Sequence, residues 1–154
     1  MASEEQGASP AQVAFGAARA NNVDLLRSTL AEAPDCVGAK DALQNTPLHI
    51  AARSANLECV DLLLDMEDVP IDAQNMEGDT ALHLAVRTAE EDKTIALDMV
   101  EFLIDAGAQA SLRNKQGDLP LDCVPDKCQE IKDALLKADL AVSMAQDIVS
   151  LQWS

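Results

Sequence analysis

Sliding the chain against itself by 34 residues brings like onto like: Ala17-Ala18-Arg19 falls on Ala51-Ala52-Arg53, and these fall on Ala85-Val86-Arg87. The register holds beyond the triplets. Asn22-Val23-Asp24 meets Asn56-Leu57-Glu58, Leu30 meets Leu64, and Asn45-Thr46-Pro47-Leu48-His49-Ile50 meets Asp79-Thr80-Ala81-Leu82-His83-Leu84. Such a period requires one supersecondary unit to recur, each copy covering the apolar stripe of the last. Within a unit, Leu48, Ile50, Ala51 and Ala52 form a small apolar first helix. Leu57, Val60, Leu63 and Leu64 lie at helical spacing in a second. Ahead of each first helix stands a turn such as Asn75-Met76-Glu77-Gly78-Asp79-Thr80, in which Gly78 allows positive φ, as Gly117 does in a later turn, and Thr80 can cap the helix that follows.

Two interruptions of the register carry structural expectations. Gln44 stands where the other turns have glycine, so that hairpin should be distorted or should put Asn45 in the left-handed conformation. Leu57 follows Arg53 by four residues, whereas Leu97 follows Arg87 by ten. The intervening acidic insert, Thr88 to Ile95, should form either an extra helical turn or a solvated loop. After the repeats a stripe of Leu136, Leu140, Met144, Ile148 and Leu151, followed by Trp153, predicts a trailing helix.

These residues resemble the ankyrin repeat. Thr46-Pro47-Leu48-His49 with Ala51-Ala52 and Leu62-Leu63-Leu64 matches its signature, and Gly78-Asp79-Thr80-Ala81-Leu82-His83-Leu84-Ala85 with Glu101-Phe102-Leu103-Ile104-Asp105-Ala106-Gly107-Ala108 matches it again. The resemblance covers residues 11–137. An opening unit, about 11–36, lacks the Thr-Pro-Leu-His turn. A last one, about 114–137, keeps Asn114, Gly117, Pro120 and Leu121 but has Leu119 and Asp122 where Thr and His are usual. The fold expected is an all-α ankyrin-repeat solenoid of about four helix-turn-helix units, two of them degenerate caps, with a C-terminal helix. A disordered stretch over 1–10 should precede the repeats, and a capping helix over 138–154 should follow them.

With 48% apolar and only 2% aromatic residues, the core must be built from Ala, Leu, Val and Ile, which suits closely packed helices. A net charge of −16 argues against nonspecific nucleic-acid binding and against docking on anionic membranes, both of which need Lys and Arg. No apolar stretch approaches the ~20 residues that cross a bilayer. The opening MASEEQGASP has no apolar run, so residence in the cytoplasm, with the nucleus as an alternative, is expected. Cys36, Cys59, Cys123 and Cys128 show no CxxC spacing, and three of them sit among apolar or helical neighbours, as reduced packing cysteines do. Cys59 stands at an inward position of its helix.

The inventory for catalysis is thin. His49 and His83 both lie in the repeat's turn, where the imidazole and the Thr three residues earlier can tie turn to helix. That leaves no histidine for a nucleophile's base, no converging metal ligands and no phosphate-cradling glycine loop, so neither enzyme nor cofactor is expected. The functional expectation is a monomeric protein-interaction module, an adaptor or regulator. The resemblance implies that the residue after each Ala-Ala pair faces the concave surface, which places Arg19, Arg53 with Ser54, and Arg87 there. Lys40, Gln74 and Arg113 would lie near the same surface, with Met76, Glu77, Asp79 and Lys115 at the hairpin tips. An arginine ladder of this kind could hold an acidic or phosphorylated segment, or serve only the scaffold by pairing with acidic neighbours. The alternative function is a chaperone or inhibitor that shields a basic client, ribosomal or histone-like, with the acidic runs around Asp65 to Asp79 and Glu90 to Asp105.

Overall fold

The computed structural model describes residues 8–139, and among these the chain is all helix and turn, with no strand. Three helix pairs follow one another. They are α1 (Pro10–Ala20) with α2 (Val23–Glu32), α3 (Pro47–Arg53) with α4 (Leu57–Leu64), and α5 (Ala81–Arg87) with α6 (Lys93–Asp105). A fourth unit has a 3-10 turn, Pro120–Cys123, in place of its first helix, and then α7 over residues 129–139. The first helices pack in one row, α1 on α3 on α5 on the 3-10 turn, and α2, α4 and α6 form a second row.

The alanines explain the tightness of the inner row. Ala17, Ala18, Ala51, Ala52 and Ala85 are all buried, and with no side chain beyond Cβ they let the helices approach closely. The space between the rows is filled by Leu26, Leu48, Ile50, Leu63, Leu82, Met99 and Leu103, all buried, and Ile131 and Leu135 carry the core into the last unit. Cys36, Cys59 and Cys128 are buried and Cys123 half-buried, and all four are free thiols. Burial pushes the Cys59 thiol above its ordinary range, with the charge of Glu58 adding to the effect, and this disfavours the thiolate form.

Caps set the helix starts. Thr46 and Thr80 each accept from the backbone N–H three residues on, at His49 and His83, while each imidazole Nδ1 accepts from the threonine N–H at 3.1 Å. The first unit lacks this motif and uses another. Ser9 Oγ accepts from the Gln12 N–H, Gln12 Oε1 accepts from the Ser9 N–H, and Pro10 occupies the first helical position. The first helix therefore begins at Pro10 with Ser9 as its cap, and residues 1–7 of the anticipated tail lie outside the described residues.

Gln44 itself takes the left-handed angle, φ 65°, and Asn45 does not. The Gln44 N–H closes the turn on the Asp41 carbonyl at 2.9 Å, so the hairpin keeps the geometry of its glycine-bearing counterparts. The insert makes a 3-10 turn, Thr88–Glu90, after which Asp92 caps α6 by accepting from the Thr94 and Ile95 N–H groups. Extra helix is thus the outcome: α6 has 13 residues and α4 has 8. In the fourth unit Leu119 has no hydroxyl to act as cap, and Asp122 accepts from the Leu119 N–H instead. Pro125 forces Val124 into extended backbone, ψ 130°, so the first helix stops as a single 3-10 turn. Helix α7 crosses the expected boundary at 137 without a break. Leu140, Met144, Ile148, Leu151 and Trp153, the stripe expected to form the cap, lie outside the described residues.

Candidate interaction surface

Each hairpin is organised by its leading Asp or Asn. Asp41 Oδ1 accepts from the N–H groups of Leu43 and Asn45, Asn75 Oδ1 from those of Glu77 and Asp79, and Asn114 Oδ1 from those of Gln116 and Asp118. The three turns are also stitched to one another. The Met76 N–H donates to the Leu43 carbonyl and the Lys115 N–H to the Glu77 carbonyl. Asn75 Nδ2 donates to Asn45 Oδ1, and Asn114 Nδ2 to Asp79 Oδ1, both at 2.9 Å. The histidines reach across too. His49 Nε2 lies 2.9 Å from the Asp79 carbonyl and His83 Nε2 2.9 Å from that of Asp118. A carbonyl only accepts, so each Nε2 carries the proton, which agrees with Nδ1 accepting from threonine. Both histidines are therefore scaffold, joining each unit to the next as well as turn to helix.

Between the hairpins of the second and third units, led by Asp41 and Asn75, and the C-terminal ends of α3 and α5 lies a groove of about 260 Å³. Its lining includes Leu43, Arg53, Glu77, Asp79, Leu84, Arg87 and Glu91. Arg87 spans it at one side and grips Asp79 in bidentate fashion, with Nη1 to Oδ2 2.7 Å and Nη2 to Oδ1 3.1 Å. Burial would raise the Asp79 carboxyl, but the hydrogen bonds from Arg87 and Asn114 and the charge of Arg87 outweigh it and hold the group below the usual carboxylate range. Arg53, at the same register one unit earlier, has no acidic partner among the described residues. The position eight residues before it is Asn45, where Arg87 has Asp79, and Ala11 stands at that distance from Arg19.

The groove thus gathers Arg53, Glu77, Asp79 and Arg87 from the residues singled out in the sequence. Asp79 departs from the expected tip contacts. It is 1% exposed and spent on Arg87 and Asn114, so it is an internal strut and not a contact at a hairpin tip. Arg87 is committed to that strut, which leaves the ladder without three equivalent cations. Arg19 and Lys40 are exposed but do not line this groove, and Ser54 is half-buried at the end of α3. Gln74 ties two turns together by donating to the carbonyls of Gly78 and Arg113, and Arg113 bonds the Gly117 carbonyl at 2.7 Å. Met76 and Lys115 are exposed on successive hairpins.

Sequence reasoning missed Leu43, Leu84 and Glu91. Leu43 is 53% exposed and Met76 49%. The backbone bond between their turns makes them neighbours in an apolar strip at the groove's edge. Leu43 carried a signal, since an apolar residue occupies a hairpin position that is Glu77 in the next unit and Gln116 in the one after. A separate cleft of about 440 Å³, lined by Asp35, Asp65, Glu67 and Asp68 with Val37 and Met66, lies where the 3-10 turn Pro34–Gly38 meets the end of α4. No cluster of potential metal ligands occurs among the described residues, and no described helix is long and apolar enough to cross a membrane.

Comparison with known proteins agrees with this architecture. The family description "Ankyrin repeats (3 copies)" matches residues 14–114. An ankyrin repeat-containing protein of Saccharomyces cerevisiae is 34% identical over 148 residues, covering 89% of this chain and 82% of the yeast protein. A homolog of transient receptor potential cation channel subfamily A member 1 from Caenorhabditis elegans is 47% identical over 68 residues, 44% of this chain but 6% of the channel. Human NF-kappa-B inhibitor zeta is 38% identical over 93 residues, 58% of this chain and 13% of the inhibitor. The stacked helix pairs, the Thr-His turns and these matches lead to one conclusion: the chain belongs to the ankyrin-repeat family, whose repeats are protein-interaction modules.

Proposed function

We propose that this protein is a non-enzymatic adaptor or regulator that holds an extended segment of a partner protein in the groove between its second and third hairpins. The observation that carries the reading is the groove's composition. Exposed apolar surface at Leu43, a cation at Arg53 that forms no salt bridge among the described residues, and carboxylates at Glu77 and Glu91 share one concavity. Interfaces are built in this way, with an apolar anchor and a polar rim. The rigid ladder beneath it means that little order has to be acquired on binding. The proposed setting is the cytoplasm or nucleus, and the proposed state a monomer.

A second reading, shielding of a basic client, is favoured by the four carboxylates of the cleft at Asp35, Asp65, Glu67 and Asp68. Affinity capture separates the two. Proteins retained by the parent and by the second-row variant Glu101→Lys should fall at least tenfold with Leu43→Ser/Arg53→Ala, a pair of exposed sites expected to leave the melting temperature unchanged. If those proteins survived the groove variant and were lost with Asp65→Lys/Asp68→Lys, the shielding reading would replace the one proposed.

A further inference from the structure

The charge left over in the groove points to the chemistry of what it holds. Two arginines and three carboxylates line it, but Arg87 and Asp79 are bonded to each other at 2.7 and 3.1 Å and offset one another's charge. What remains is Arg53 against Glu77 and Glu91, all three exposed, on a protein of net charge −16. An anionic segment would meet one cation and two carboxylates; a cationic side chain meets two carboxylates near the groove's apolar lining. The apolar part consists of Leu84, 7% exposed in the groove, and the Leu43 edge with Met76 beside it. A hydrophobic side chain laid there would exclude water from the neighbouring ion pairs and strengthen them.

We infer that the groove selects a short extended segment carrying a Lys or Arg near a Leu, Ile or Met, with the basic side chain at Glu77 and Glu91 and the apolar one on Leu43 and Leu84. Arg53 then meets a partner carbonyl or a flanking acidic residue. This inference rests on the groove reading above and reverses the acidic-ligand expectation drawn from the arginine register alone. The reason is that a fixed internal carboxylate has already taken one rung of the ladder.

The test uses a displayed library of random linear 12-residue peptides, selected on the folded protein at moderate salt and read by sequencing. Parent selections should enrich peptides with a basic residue within a few positions of an aliphatic one. Leu43→Ser should weaken those peptides at least tenfold by fluorescence polarisation. Glu77→Lys/Glu91→Lys should weaken them at least as much and, when the selection is repeated on that variant, should enrich acidic residues in place of basic ones. Peptides that need Leu43 but are acidic, or are indifferent to the Glu77/Glu91 charge reversal, would overturn this inference while leaving the groove as the binding site. Enriched peptides indifferent to all three substitutions, or no enrichment at all, would overturn the groove reading itself.

Discussion

Gln44, Gly78 and Gly117 occupy one position in three successive turns, at φ 65°, 79° and 84°. Only the first bears a side chain, which the left-handed region disfavours by about 1–2 kcal/mol, partly offset because glycine is freer in the unfolded chain. Gln44→Gly should therefore raise stability by about 0.5–1 kcal/mol in urea melts. The reverse exchange is unequal between the other two. A Cβ on Gly78 would lie 2.6 Å from the Lys115 backbone nitrogen, whereas one on Gly117 meets nothing within 4 Å. Gly78→Ala should cost clearly more than Gly117→Ala, and equal losses would contradict the close approach of the third and fourth hairpins. The exceptional residue was visible in the repeat register. Which atom of the turn took the strain was not, because that depends on the Gln44 N–H closing on Asp41. The same holds for Arg87, whose partner eight residues earlier shows in the sequence only once the hairpin is known to fold back against its own helix.

At the scale of elements, the helices were legible because their apolar spacing repeats, whereas the bonds between units were not, since nothing in His49 itself names the Asp79 carbonyl 30 residues away. That bond has a pH signature. Burial, the largest influence, disfavours the imidazolium, and the net result holds His49 below the usual histidine range despite the carbonyls and carboxylates around it. Protonation would put a second hydrogen on Nδ1, facing the Thr46 N–H it now accepts from. A group depressed in the folded state is protonated first in the unfolded one, so this contribution is complete above about pH 6.5 and shrinks as pH falls below it. The decline approaches at most ~1.4 kcal/mol per pH unit. His49→Gln, which can keep a capping box but does not titrate, should be less stable than the parent at pH 7.5. The gap should narrow by pH 5.5. A gap constant across that range would show that His49 does not titrate on unfolding.

For the whole molecule, the stack has to end in something. The last unit leaves Leu136 half exposed and a cleft of about 170 Å³ lined by Leu119, Leu121, Leu135 and Leu136. The sequence expectation that residues 138–154 cap the repeats predicts that removing residues 140–154 lowers the melting temperature by several degrees and promotes association through that end. An unchanged, monomeric truncated protein would instead make Ile148, Leu151 and Trp153 candidates for partner binding. The central claim concerns the groove, and site-specific photo-crosslinking in cells of the source organism tests it most directly. A benzophenone side chain would be placed in turn at Leu43, Met76 and Glu91 around the groove, at Asp35 and Glu67 around the acidic cleft, and at Glu101 on the second-row helix. Discrete partner adducts should form from positions 43, 76 and 91 and be absent from 35, 67 and 101, and those from 43 and 76 should be abolished by Glu77→Lys/Glu91→Lys, two exposed sites. Adducts from 35, 67 or 101 with none from 43 would contradict the claim.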